Sequence, residues 1–297
     1  MTIGIIGAGA FGSALAVALG RKHPVRLWAR GAGVARDFPT NVSRISTLAE
    51  LNGVAALLLV LPAQKTAAFL VENPLPAAPL VLCAKGIDLQ SGQLQSQIAT
   101  PFTTAPISVL TGPGFADEIA AGLPTALTLA GGDRAQQYLL STDRLRLYGT
   151  DDIVGAQLGG ALKNVIAIAC GMAVGAGFGE SARAALLTRG FAEMQRIGVA
   201  LGARADTFQG LSGLGDLALS CGSQKSRNFA QGLALGQGNT PKDVTVEGIA
   251  TASATVKLAQ KLNVAAPISE VVSAVLSKDV SIQNAMSALL SRPLKQE

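Results

Sequence analysis

The stretch Ile5-Ile6-Gly7-Ala8-Gly9-Ala10-Phe11-Gly12-Ser13 decides the fold. The apolar run from Ile3 to Ile6 reads as a buried strand, and three glycines follow it at the spacing G-x-G-x-x-G. The alanine-rich segment Ser13–Leu19 then reads as a helix. Strand, glycine turn and helix in that order predict a dinucleotide-binding turn. Gly7 permits the tight exit from the strand, Gly9 lets a pyrophosphate approach the backbone, and Gly12 lets the helix pack close to the sheet. The helix start, with Ala10 and Phe11, presents free N–H groups and the positive end of the helix dipole. A tight strand-to-helix turn that binds nothing is the alternative.

Working outward, apolar runs recur through the first half at Val25–Trp28, Ala55–Leu61, Leu80–Cys83, Ile107–Leu110 and Ala126–Leu129. Most are continuously apolar, as strands covered on both faces must be. Helical stretches such as Gln64–Val71 and Phe115–Ala121 separate them. Repeated βα units predict a Rossmann-type, doubly wound parallel α/β sheet, with ligands beyond the strand C-termini. The segments there are Gly7–Gly12, Ala29–Arg30, Pro62–Lys65, Ala84–Asp88 and Thr111–Phe115.

From about Gly155 the pattern becomes helical throughout, and the polar turn Gly149-Thr150-Asp151-Asp152 precedes the change. The expected division is a dinucleotide-binding domain over residues 1–152 and an all-α domain over residues 153–297.

Composition narrows the function. The chain has 297 residues, 49% of them hydrophobic and only 14% charged, enough for a large core. Its 34 glycines against 4% aromatics imply helices and strands in close contact. The net charge of +5 is dispersed, which suits small anions and not nucleic acid. Cys83, Cys170 and Cys221 lie far apart, so neither a disulfide framework nor a zinc site is expected. The segment Val165–Phe178 is too short and glycine-rich to span a membrane, and no leader peptide is evident.

The single histidine, His23, sits in the polar turn Arg21-Lys22-His23-Pro24, away from the strand C-termini, and reads as a surface residue. Acid–base chemistry then falls to a lysine, carboxylate or tyrosine. Lys163 and Asn164 open an apolar helix, where desolvation favours a lysine that exchanges its proton. The alternative is an ammonium reaching back to water along its stem. Lys85, after the fourth strand, is either a cleft cation or a solvated loop lysine. Gly213-Leu214-Gly215-Asp216 and Ser226-Arg227-Asn228 form a second polar group. Ser226 suits a helix cap, Arg227 and Asn228 offer donors to an anion, and Asp216 suits an ammonium or hydroxyl partner. Arg30 follows the second strand, and Arg26–Arg36 holds no carboxylate for a ribose 2′-hydroxyl. Arg30 could instead pair with a 2′-phosphate, which favours NADP(H) with NAD(H) accepted.

At these residues the chain resembles bacterial NAD(P)-dependent glycerol-3-phosphate dehydrogenases, nearly end to end. The shared motifs include GAGAFGSALA, CAKGI, LTGPGFADEIAAGLPT, GAQLGGALKNVIAIACGM, TFQGLSGLGDL and SQKSRNFAQGLALG. The resemblance implies a helical domain like the C-terminal one of 6-phosphogluconate dehydrogenase. It also implies reversible reduction of dihydroxyacetone phosphate to sn-glycerol 3-phosphate, serving phospholipid synthesis in the cytoplasm. By the resemblance, Lys163 exchanges the proton, and Lys85, Gly112, Lys163, Asp216, Ser226, Arg227 and Asn228 contact substrate. The resemblance also implies that Ala10, Phe11, Arg30, Lys85, Ala116, Arg227 and Glu247 contact the cofactor, beside the Gly7, Gly9 and Gly12 expected from the glycine turn.

The implied partner is a phosphorylated small molecule; nucleic acid, metal and a membrane span are not implied, and a homodimer is compatible. The chain departs from the family where Gly114 replaces a usual serine, Gln157 a usual glutamate, and Glu180-Ser181 a common Asp-Asn pair. Its segment after Arg30 is also short. Two other readings are a lysine-dependent keto-acid reductase of the ketopantoate or β-hydroxyacid type, and a non-catalytic NADP-sensing module.

Overall fold

The structure is a computed structural model that describes residues 1–31, 33–34, 36–239 and 247–290. Its first part runs β1 (Ile3–Ile6), α1 (Ala10–Gly20), β2 (Val25–Trp28), β3 (Val42–Ile45), β4 (Ala56–Leu59), α2 (Ala63–Glu72), β5 (Leu80–Leu82) and α3 (Gln95–Ala99). It continues with β6 (Ile107–Thr111), α4 (Ala116–Ala121), β7 (Thr125–Ala130), α5 (Arg134–Leu140) and β8 (Leu145–Thr150). The eight strands form one sheet in the order β3-β2-β1-β4-β5-β6-β7-β8. The first six places are the dinucleotide-fold order, whose direction of winding reverses beside β1.

Alternate residues of the inner strands serve two cores. Ala56 and Leu58 of β4 join the cluster under α1, while Leu57 and Leu59 join the one around Phe69 of α2. That two-sided burial explains the continuously apolar runs.

The sheet differs from the expected one in three ways. β7 runs antiparallel to β6, and β8 follows β7 in parallel, so the sheet is not wholly parallel. An apolar run is the same read in either direction, so strand polarity was not legible there. Two strands, β3 and β8, were not expected. β3 reads Val-Ser-Arg-Ile and lies half-exposed at the edge. β8 alternates, with Leu145 and Leu147 buried and Arg146 and Tyr148 exposed.

The second part is helical. Its elements are α6 (Ile153–Gly175), α7 (Gly179–Ala200), α8 (Ala205–Gln209), a π-turn at Leu211–Gly215, α9 (Asp216–Cys221) and α10 (Arg227–Gly236). α11 (Glu247–Lys261), α12 (Pro267–Leu276) and α13 (Ile282–Leu290) complete it. Asp152 starts α6 as its N-cap: Oδ1 accepts the Gly155 N–H at 2.7 Å, and Oδ2 accepts the Arg204 N–H at 2.9 Å. α6 touches α7, α9, α10, α11 and α12 and is the central rod of this half. It is long and apolar enough to cross a membrane, yet 89% of its apolar window is buried within the protein.

The abundant glycine is used where α6 meets α10. A Cβ on Gly171 would run into the Phe229 carbonyl, one on Gly175 into the Leu233 carbonyl, and one on Gly232 into the Ile168 carbonyl. The two helices therefore meet backbone to backbone. This seats the first turn of α10 beside the middle of α6.

Candidate functional site

The glycine turn has the local geometry its spacing demands. Gly7 has φ +111°, a conformation that side chains rarely allow, and its Cβ would strike the Val60 carbonyl. A Cβ on Gly12 would strike the Gly7 carbonyl. Gly9, by contrast, has no atom within 4 Å of its would-be Cβ. It is the N-cap of α1, with no side-chain cap and no acidic residue in the helix's first turn. Gly9 and Ala10 are exposed and Phe11 is half-buried against the core. Open space, a helix start without a side-chain cap and a positive helix end together fit a dinucleotide pyrophosphate. The chain after β2 folds back onto this turn, where the Val34 N–H donates to the Ala8 carbonyl at 2.8 Å. Arg30 is exposed at the start of that segment.

The loops after β5 and β6 meet α6 and α9 in a buried ionic cluster. Lys163, 8% exposed, projects from α6 and places Nζ 2.9 Å from Asp216 Oδ1. Its ammonium also donates to Ser220 Oγ at 2.7 Å. Lys85 places Nζ 2.7 Å from the other Asp216 oxygen and donates to the Gly112 carbonyl at 2.9 Å. Burial pushes the Asp216 carboxyl up, but Lys163 and Lys85 outweigh it and hold the group below its ordinary value. Two ammonium groups thus share one carboxylate, leaving a local excess of positive charge suited to an anionic or polarisable oxygen ligand.

The cluster is positioned by backbone contacts. A Cβ on Gly159 of α6 would run into the Ser212 carbonyl of the π-turn, so helix and turn touch directly. That turn delivers Asp216 as the first residue of α9. Gly112, with φ +133°, turns the chain out of β6 so that its carbonyl meets Lys85.

A second group lies one helix over. Ser226 caps α10, its Oγ accepting the Phe229 N–H at 3.4 Å, and Arg227 is exposed on the first turn. Asn228 donates to Asn164 Oδ1 at 2.9 Å and accepts the Gly248 N–H at 3.1 Å. Asn164 in turn donates to the Lys85 carbonyl at 3.3 Å. The asparagine pair ties the Lys85 loop, α10 and the start of α11 together. Ala116 opens α4 and is half-buried. The Glu247 side chain lies outside the described residues.

The structure therefore joins Lys85, Gly112, Lys163 and Asp216 directly, and links Asn228 to them through Asn164. Ser220 was missed. It stands one helical turn after Asp216, but Gly213–Asp216 reads in the sequence only as a polar group, with no sign of the helix α9 that aligns the two residues. His23 is half-buried, not fully exposed: Nε2 is buried without a partner, and desolvation and then Lys22 lower its pKa. All three cysteines are free and buried.

Two of the departures have defined surroundings. A Cβ on Gly114 would face Ile119, Leu127 and Thr125 at 3.0–3.3 Å, so a side chain there would start against an apolar wall. Gln157 accepts the Ser96 N–H at 3.0 Å and donates to Ser96 Oγ at 2.8 Å, joining α6 to α3.

Residues 152–287 match the family profile described as NAD-dependent glycerol-3-phosphate dehydrogenase C-terminus, and residues 2–52 and 34–137 match its N-terminal counterpart. The chain belongs to this family. It is 53% identical over 305 residues to the glycerol-3-phosphate dehydrogenase [NAD(P)+] of Cereibacter sphaeroides, covering 99% of this chain and 100% of that one. The enzyme of the same name from Roseobacter denitrificans is 50% identical over 320 residues, with both chains covered in full. The crystal structure of glycerol-3-phosphate dehydrogenase from Coxiella burnetii superposes with TM-score 0.92 at 34% identity, covering 98% of this chain and 99% of that one.

Proposed function

We propose that this glycerol-3-phosphate dehydrogenase family member reversibly reduces dihydroxyacetone phosphate to sn-glycerol 3-phosphate with NAD(P)H, feeding phospholipid synthesis. The observation that carries this reading is the Lys163–Asp216–Lys85 cluster, which Lys85 and the Gly112 carbonyl set at the C-terminal ends of β5 and β6. The nicotinamide cofactor supplies the hydride in reduction and takes it back in oxidation. Everything else is done by side chains and backbone groups of this chain.

In reduction, negative charge grows on the carbonyl oxygen of the substrate. The Lys163 ammonium stabilises that oxygen and passes it a proton from Nζ. In oxidation the neutral amine takes the hydroxyl proton. Asp216 and Ser220 hold Nζ in place, so no reorientation is needed at the moment of reaction. Lys85 adds a second positive charge and fixes Asp216 from the other side. Arg227 and the N-terminus of α10, capped by Ser226, offer charge and N–H donors to the phosphate, with Asn228 fixing that turn. Binding energy from the phosphate then positions the reacting carbon.

We assign Gly7, Gly9, Ala10, Phe11 and Gly12 to the pyrophosphate, Arg30 to the 2′-phosphate of NADP(H), and Ala116 and Glu247 to the cofactor's rim. NADP(H) is preferred and NAD(H) is accepted. We also divide the chain at residues 152/153, between the end of β8 and the start of α6. A cytoplasmic setting is our reading of three buried, unbridged thiols.

A steady-state assay with dihydroxyacetone phosphate and each reduced cofactor tests the proposal. Turnover of this ketone is expected. Reduction of an unphosphorylated keto acid, with none of dihydroxyacetone phosphate, would overturn it.

A further inference from the structure

A second ionic contact joins the two halves at the rim of the same cleft. Lys225 immediately precedes the α10 cap, and its Nζ lies 2.6 Å from Glu118 Oε1 in the first turn of α4. The same ammonium lies 5.8 Å from the centroid of the Phe115 ring, on the loop that leaves β6. The Lys225 loop is itself turned back, with the Ser226 N–H donating to the Ser223 carbonyl at 3.0 Å and the Lys225 N–H to Ser223 Oγ at 3.2 Å. Lys85–Asp216 thus bridges the halves at the buried floor, and Lys225–Glu118 bridges them at the rim.

We infer that Lys225 is a positioning residue, which straps the first turn of α10 to α4 and so sets the affinity for the substrate phosphate. This inference rests on the function proposed above. Lys225 is spoken for by Glu118 and Phe115, so its effect runs through the seat it gives Ser226 and Arg227. The Lys225 side chain meets Glu118 and Phe115, and the proton-transfer step at Lys163 is expected to be unchanged. The side chains are 63% and 33% exposed, so the pair is screened by salt and its effect is modest.

The test is a kinetic double-mutant cycle on the full-length enzyme with dihydroxyacetone phosphate and NADPH. Lys225→Met and Glu118→Gln are each expected to raise KM for the ketone roughly two- to fivefold, with kcat little changed. The double variant should be no worse than either single one, because both remove the same strap. Lys225→Arg should restore KM, and the difference between wild type and Lys225→Met should shrink in high salt. NADPH affinity and melting temperature, measured alongside, should be unchanged.

If Glu118→Gln leaves KM at the wild-type value while Lys225→Met raises it, Lys225 touches the phosphate directly and the strap is overturned. A fall in kcat with constant KM would overturn it too. Absence of ketone turnover in the wild-type enzyme would instead refute the proposed function, and this inference with it.

Discussion

Lys163 Nζ, on α6, sits 2.9 Å from Asp216 Oδ1, at the start of the α9 helix that packs against α6. The ammonium is thereby aimed before any substrate arrives. Replacing Lys163 with Met should give an enzyme that folds and binds NADPH but loses roughly 10²–10⁴-fold in turnover. Cofactor binding by fluorescence and a single-turnover assay read the two parts separately. Turnover near the wild-type rate would remove Lys163 from the chemistry.

Asp216→Asn should be inactive and also less stable. The buried Lys163 and half-buried Lys85 ammonium groups would lose their shared counter-charge, at a cost of about 3–5 kcal/mol. The pH dependence has a definite sign. The Asp216 pKa is lowered in the folded state, because Lys163 and Lys85 outweigh the effect of burial. The stability it contributes is therefore complete above the ordinary carboxylate range and is lost as pH falls through the lowered value. Denaturant titrations across acidic pH should show a shallower acid loss in Asp216→Asn than in wild type. Parallel curves would contradict this account.

Arg227→Ala should raise KM for dihydroxyacetone phosphate at least about tenfold, since a charge-assisted contact to the phosphate is lost. Its effect on kcat should be smaller. Steady-state kinetics at saturating NADPH measure both, and an unchanged KM would refute the phosphate assignment.

Arg30→Asp should move preference from NADPH toward NADH. A carboxylate at the end of β2 can accept the ribose hydroxyl and repels a 2′-phosphate. The ratio of kcat/KM for the two cofactors is the readout, and a constant ratio would undo the 2′-phosphate argument.

Much of this site could be read from the chain because its signals are local. The glycine turn is one continuous motif, and a Cβ on Gly7 would strike Val60 while one on Gly12 would strike Gly7. Inner strands such as β1 and β4 announced themselves by unbroken apolar runs. Edge strands did not: β3 is polar, and the alternation in β8 lies among arginines. Lys163 was legible as a cation in an apolar stretch, although it stands midway along α6 and not at a helix start. Its pairing with Asp216, 53 positions later, depends on a π-turn whose backbone touches Gly159, and no spacing rule encodes that. Ser220 was hidden for the same reason.

The glycine seam between α6 and α10 has one more consequence. Main chain rests on main chain there, so no rotamer can yield to absorb a change. Lys163 and the capped start of α10, the proton donor and phosphate cradle we propose, are held like two jaws riveted to one hinge plate, and their separation is set by main-chain contact. Adaptation of this enzyme to other ketones must then come through the pliable loops that rim the cleft, while the gauge between its jaws stays constant.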